Sequence, residues 1–357
     1  MFSEVGETDQ VSPGPVRSPA ASLRPDAQTS ESKITKVPIS IKQLSEPTER
    51  GDLRYTGGGR LCGGCGQGIL LRNVLLAIRN PVIVTNNTGC VFVSSTPYPT
   101  SAWMIPYLHT TLAGAPSAMS GVLAAYKFRK KEGSVRDDIK FMIYGGDGGF
   151  YDIGLSALSG AFHRKDDVFA VCGNNQAYMN TGIQESGASF KHSQTTTTPA
   201  GTVIFGNKDT QKNLPKIIEA HRSPYVAQTG VHNFLDLIRK SRKGFMIEGP
   251  TYLEVYAPCP LGWYHPTDQT INSSRLACES CLFPSYEVEQ GEFALTAESL
   301  MIYNGKKTKV PIRDYYRTEG RFRHLFRSPE GEQRLDTIQY FIDEEWENLM
   351  SRHVARK

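Results

Sequence analysis

Short β-branched runs alternate with helix-length stretches from residue 69 to residue 257, and this alternation constrains the fold more than any other feature. Residues 69–78 have helical spacing, and 81–85 (Pro-Val-Ile-Val-Thr) read as a buried strand. A helix over 115–131 with a basic end comes next, then a strand over 139–144 and a helix over 152–163. The pattern continues with strand 168–172, helix 213–220, strand 225–228 and helix 233–242, and 245–257 starts as a strand. Parallel strands need a crossover between them, and a helix is the usual one. The alternation therefore predicts an α/β fold with a doubly wound, mostly parallel sheet.

The flanks differ. Residues 1–36 are rich in Pro, Ser, Ala and charge and show no hydrophobic period. Such a stretch buries too little apolar area to offset its ordering entropy, so a disordered tail is expected. Residues 37–60 read as a segment that wraps a partner or the domain surface, and 61–286 as the sheet domain. Residues 287–357 are more charged and end in an amphipathic helix over 337–353, the pattern of a helical C-terminal extension for subunit docking.

Composition excludes several classes. A net charge of +4 with no Lys/Arg block interleaved with aromatics argues against nucleic acid. The aromatic-basic stretch 314–326 reads instead as a docking face. No apolar run approaches the ~20 residues of a membrane span. The start lacks a basic-then-apolar signal, so a cytoplasmic chain is expected. The seven cysteines then point to metal or redox chemistry rather than disulfides.

The loop 144–150 (Tyr-Gly-Gly-Asp-Gly-Gly-Phe) follows one strand and precedes a helix. Ligands of open α/β sheets sit beyond the carboxyl ends of strands. Glycines there let backbone N–H groups approach a phosphate, and an Asp within the loop suits Mg²⁺. An isolated match would be an ordinary turn. The next strand, however, ends in Gly173-Asn174-Asn175, so Asp147 and Asn175 can converge on one cation at the same sheet edge.

Gly146-Asp147-Gly148 followed by Asn174-Asn175 resembles the thiamine diphosphate motif. With Gln176-Ala177-Tyr178-Met179-Asn180-Thr181-Gly182 and the stretches 94–99, 195–201 and 257–260, the chain resembles, over roughly 61–325, the β subunit of pyruvate:ferredoxin oxidoreductase (pyruvate synthase) in the 2-oxoacid:ferredoxin oxidoreductase family. The resemblance implies a thiamine diphosphate-binding domain of the diphosphate type over 61–286. It implies that Asp147, Asn175 and the Ala177 carbonyl hold Mg²⁺. It places Gly146, Gly148 and Thr181 at the cofactor, and Asn180 near the reacting centre.

Cys62 and Cys65 lie three apart on a glycine-rich loop, and Cys90 follows the 81–85 strand. A 4Fe–4S cluster needs a fourth thiolate, from Cys172, Cys259, Cys278 or Cys281. Spacing alone does not choose. Cys278 and Cys281 lie in a predicted helix (272–282), where free Cys packs as a small apolar residue. Cys172 ends a strand and reads as core. Cys259 sits between prolines on irregular backbone, and the resemblance also points to it. The expected set is Cys62, Cys65, Cys90 and Cys259. By spacing, a structural zinc site fits these thiolates equally well; the neighbouring cofactor motif tips the reading to iron–sulfur.

The resemblance implies oxidative decarboxylation of pyruvate with coenzyme A to acetyl-CoA and CO2, electrons passing through the 4Fe–4S cluster to ferredoxin or flavodoxin. It also implies partners: an α subunit supplying the pyrimidine-binding domain, a γ subunit and a ferredoxin-like δ subunit. The chain alone is expected to be inactive. The family's usual basic residue is replaced in Ile183-Gln184-Glu185-Ser186, and Lys191-His192 departs from the expected small loop. Either these positions face the substrate or partner, or they form a plain surface loop. Another 2-oxo acid (branched-chain, 2-oxoglutarate or oxalate) and a non-catalytic zinc-stabilised scaffold subunit are the alternatives. Trp103 reads as core or as packing near the cofactor.

Overall fold

The computed structural model describes residues 53–57 and 59–355; the expected tail and most of the expected wrapping segment lie outside the described residues. Helix α1 (Gly66–Leu76) leads to β1 (Val82–Asn87), and α2 (Cys90–Ser95) leads to β2 (Tyr107–Thr110). Next come α3 (Ala115–Lys131), β3 (Lys140–Gly146), a π-helical turn (Gly148–Ile153), α4 (Leu155–His163) and β4 (Phe169–Asn174). The last turn of α3 carries Arg129, Lys130 and Lys131, where positive charge meets the negative end of the helix dipole. Then follow α5 (Leu214–Ala220), β5 (Tyr225–Gly230), α6 (Phe234–Met246), β6 (Thr251–Tyr256), α7 (Pro260–Trp263) and α8 (Thr270–Glu279). Asn213 and Asn233 cap α5 and α6 by accepting from the N–H groups of Lys216 and Asp236. The rest is β7 (Tyr286–Glu289), β8 (Glu292–Leu295), α9 (Ala297–Tyr303), α10 (Ile312–Tyr316), a 3-10 segment (Gly320–Phe326) and α11 (Pro329–Val354).

The eight strands form one sheet in the order β2-β1-β3-β4-β6-β5-β7-β8. The first six pair in parallel, and β7 and β8 add antiparallel. This is the expected doubly wound, mostly parallel α/β architecture. Side chains alternate between its two buried faces. Phe141, Ile143, Tyr252 and Tyr256 join one core, while Met142, Tyr144, Leu253 and Val255 join the other.

Three local expectations change. The 152–163 helix begins only at Leu155, because the glycine-rich stretch before it forms the π-helical turn. Phe245 and Met246 finish α6, so the strand expected from 245 starts at Thr251. The strands β2, β7 and β8 were not expected: they are only four residues long and lie toward the two ends of the sheet.

Gly244 marks a close approach of α6 to β4. A Cβ there would stand 2.2 Å from Cε2 of buried Phe169. Gly→Ala in a helix normally gains about 1 kcal/mol, whereas overpacking costs about 1–3 kcal/mol. Gly244→Ala is therefore expected to be net destabilising, read as a lower urea midpoint; a raised midpoint would show that Phe169 yields freely.

Candidate active site

The register of the sheet gathers four loops. Asn86 pairs with Tyr144, Gly146 with Gly173, and Asn174 with Tyr256. The carboxyl ends of β1, β3, β4 and β6 thus share one edge. A cleft there is lined by Asn87, Cys90, Asp147, Asn175, Ala177 and Asn180, among others.

The β3 end places Asp147 beneath this cleft, 1% exposed. Burial pushes its carboxyl up to about 7, although the Ser186 hydroxyl and the Asn175 N–H both donate to it. The Asn175 side-chain oxygen stands 2.9 Å from the Ala177 carbonyl oxygen and 3.0 Å from Asp147 Oδ1. Turning the amide over would make two hydrogen bonds instead. In this orientation the Asn175 oxygen faces two other oxygens, a repulsion that either a cation among them or the turned-over amide relieves. Gln176, between Asn175 and Ala177, takes a positive φ of 68°, and the Asn175 amide lies against both Asp147 and the Ala177 carbonyl. Asn174 points away, donating to Glu254 at 2.6 Å and accepting from the Gln176 N–H at 2.9 Å. Only the second Asn of the pair therefore faces the cleft's acid.

The glycines have distinct roles. A Cβ on Gly146 would meet no heavy atom within 4 Å, so this glycine leaves open space. A Cβ on Gly148 would stand 2.5 Å from the Tyr178 ring, so that position admits no side chain without displacing it. Asn180 and Thr181 are exposed at the mouth, and Thr181 Oγ1 donates to Gln184 at 2.5 Å. Two cleft residues escaped the sequence reading. Asn87 accepts from the Ala115 N–H at 2.9 Å, and its buried Nδ2 has no partner among the described residues. Gln67 reaches from α1 to the Gly173 carbonyl at 2.8 Å and also accepts from Tyr144 OH.

Cys62, Cys65, Cys90 and Cys259 are brought together beside this cleft. Every pair among them lies within electrostatic reach of each other. Burial, followed by the neighbouring thiols, pushes Cys90 up to about 12. Cys259 rises to about 12, and Cys65 also rises, chiefly through burial. Gly64 (φ 74°) and Gly66 allow this assembly: a Cβ would stand 2.1 Å from Thr267 O and 2.8 Å from the Ala257 carbonyl carbon, respectively. The Gly66 N–H donates to Pro258 O at 3.3 Å, stapling the Cys62–Cys65 turn to the Cys259 loop. Among the described residues, no three His, Cys, Asp or Glu side chains are placed to hold a single metal ion. Cys172 is buried in β4, Cys278 in α8, and Cys281 just past the end of α8.

Other positions fall outside the cleft lining. Ser186 supports Asp147 from below, while His192 Nδ1 lies 3.0 Å from Phe205 O. Lys191 lies over Phe341 and lines a separate cavity of about 490 Å³ under α11. Trp103 is core, stacked on Tyr107 and donating to Ser95 at 2.8 Å.

Comparison with known proteins fits this geometry. Residues 87–255 match the model of the thiamine pyrophosphate enzyme, C-terminal TPP binding domain. The chain is 43% identical to pyruvate synthase subunit PorB of Methanosarcina barkeri, over 81% of this chain and 94% of that one. This chain belongs to the thiamine diphosphate-dependent 2-oxoacid:ferredoxin oxidoreductase family. Within the family it is 36% identical to PorB of Thermotoga maritima (90% of this chain, 98% of that one). It is 35% identical to ketoisovalerate oxidoreductase subunit VorB of Pyrococcus furiosus (88% and 97%). It is thus one subunit of a multi-subunit 2-oxoacid oxidoreductase. No helix among the described residues is long and apolar enough to cross a membrane.

Proposed function

We propose that this chain is the β subunit of a pyruvate:ferredoxin oxidoreductase, oxidatively decarboxylating pyruvate with coenzyme A and passing electrons through a 4Fe–4S cluster to ferredoxin. The observation that carries the reading is the position of Cys90. It lines the same cleft as Asp147, Asn175 and Ala177, and it also belongs to the four-cysteine group. An electron acceptor beside a decarboxylating cofactor distinguishes an oxidoreductase from a simple decarboxylase.

The donor sets fit the implied groups. Mg–O bonds of about 2.1 Å set adjacent oxygens of an octahedron about 3.0 Å apart. With the Asn175 oxygen turned toward them, the Ala177 carbonyl oxygen and Asp147 Oδ1 stand 2.9 and 3.0 Å from it, so these residues would hold Mg²⁺. The open space at Gly146 and the unpartnered Asn87 Nδ2 suit a diphosphate. A zinc ion would draw four sulfurs within about 3.8 Å of one another, given Zn–S bonds of about 2.3 Å. A 4Fe–4S cluster binds each thiolate through a different iron and accepts a wider set. The grouping of Cys62, Cys65, Cys90 and Cys259 beside the cleft of Asp147 is what favours the cluster.

When bound, thiamine diphosphate supplies the thiazolium that stabilises the carbanion left by CO2. The chain's part is to anchor the diphosphate end through Asp147, Asn175 and Ala177, and to present Asn180 at the cleft mouth toward the substrate. The group that meets the pyrimidine would come from an α subunit, because the described residues form a single eight-stranded sheet. γ and ferredoxin-like δ subunits would complete the assembly in the cytoplasm. A branched-chain 2-oxo acid is the second reading, favoured by the ketoisovalerate relative.

Anaerobic co-purification with partners, followed by iron, sulfide and thiamine analysis, tests the proposal. A brown complex that turns over pyruvate faster than 2-oxoisovalerate or 2-oxoglutarate is expected, with the isolated chain inactive. A colourless protein holding one zinc, or turnover by the chain alone, would overturn it.

A further inference from the structure

Arg321 is fully buried, a rare position for a cation. It comes from the 3-10 segment near the C-terminus, far in sequence from the cleft. Its Nε donates to Glu319 Oε2 at 2.7 Å, and Nη2 donates to Tyr315 OH at 3.0 Å. Nη2 also donates to the side-chain oxygen of Gln176. Gln176 is the positive-φ residue between Asn175 and Ala177. The guanidinium lies 4.0 Å from the ring centroid of Trp263. Trp263 Nε1 in turn donates to the Asn175 backbone oxygen at 2.8 Å. The Gln176 carbonyl accepts from Ser189 at 2.6 Å. One cation therefore grips the 175–177 turn twice, through the Gln176 amide and through the indole it stacks on.

That grip adds to the Ser189 and Asn174 hydrogen bonds in holding a non-glycine residue at φ 68°, and without it the turn is held less firmly. The Asn175 amide would then be less firmly held against Asp147 and the Ala177 carbonyl. We infer that Arg321 is a positioning residue for the dication turn: with Trp263, it holds Asn175 and Ala177 in the geometry that binds Mg²⁺. The inference rests on the Mg²⁺ reading above and deepens it. Side chains that hold a metal's ligands in place commonly govern its affinity by about 10- to 100-fold.

The test uses the complete co-purified complex. Arg321→Met/Glu319→Gln removes the pair without leaving a lone buried charge. Mg²⁺ is titrated calorimetrically at saturating thiamine diphosphate, and turnover is measured at saturating Mg²⁺. The Mg²⁺ dissociation constant is expected to rise about 10- to 100-fold, with a smaller loss in kcat. The control is Lys240→Met/Asp236→Asn, which removes another buried ion pair (2.6 Å), on α6 and outside the cleft lining. It is expected to leave Mg²⁺ affinity unchanged. Wild-type affinity in the Arg321 variant, or equal weakening in the control, would overturn the inference. No Mg²⁺ binding by the wild-type complex would instead sink the functional reading. Should the double variant fail to assemble, Trp263→Phe decides. It keeps the aromatic stack but removes the indole N–H, so weaker Mg²⁺ binding is expected, and wild-type affinity overturns the inference.

Discussion

Asp147→Asn is expected to abolish Mg²⁺-dependent thiamine diphosphate binding while leaving the fold intact. Asp147 is the one carboxylate among the three proposed Mg²⁺ ligands, so its loss removes the negative charge that faces the dication. An outer partner alone commonly costs about 10- to 100-fold in metal affinity, so a direct ligand is expected to cost at least about 100-fold. Asn keeps the shape and can still bond the Ser186 hydroxyl, and it removes a carboxyl that burial penalises. The ligand-free complex should therefore melt near the wild-type temperature. The difference appears on loading. At 100 times the dissociation constant, ligands add about 2.7 kcal/mol of stability, and the variant, bound at least about 100-fold more weakly, should gain at most about 0.4 kcal/mol. Thermal unfolding with and without Mg²⁺ and cofactor reads this directly. Undiminished ligand stabilisation in Asp147→Asn would remove this residue from the site.

Cys259→Ser should separate electron transfer from cofactor binding. A serine oxygen is a harder and more basic donor than a thiolate, and iron–sulfur clusters select soft thiolates. The variant complex, purified without oxygen, is expected to lose one cluster's iron and sulfide per copy of this chain. Turnover of 2-oxo acid with coenzyme A and a viologen dye should fall at least about 100-fold, equivalent to about 2.7 kcal/mol. Cys259 does not line the cleft, so thiamine diphosphate should still bind. Cys281→Ser is the contrast. That thiol is buried beyond the end of α8, and its replacement should keep both cluster and turnover. An unchanged iron content in Cys259→Ser would remove Cys259 from the ligand set, and loss of the cluster in Cys281→Ser would bring the other Cys-x-x-Cys pair into it.

The parallel strands β1, β3, β4 and β5 were legible because both their faces are largely buried. β4 is buried throughout, and its Phe-Ala-Val-Cys stretch reads as a continuous apolar run; β6 is equally buried but carries Thr251 and Glu254, and it starts later than expected. β2, β7 and β8 lack that signal. They are four residues long and partly exposed. The π-helical turn over Gly148–Ile153 was also invisible, since glycines announce a bend but not its kind. At the site, Asp147 and Asn175 were legible from spacing, because consecutive parallel strands must end on one edge.

The amino-acid order by itself determined the strand–helix alternation, the loop carrying Asp147 and the identity of the candidate thiolates. Only the tertiary structure decided which groups meet. Gln67 contacts a carbonyl 106 residues away, and Arg321 reaches Gln176 across 145. Asn87, Gly64 and Gly66 acquire their roles from chain segments packed against them. The physical reason is that local sequence sets backbone preference within a few residues. Convergence depends instead on sheet order and on how closely buried segments can approach, which no local pattern records.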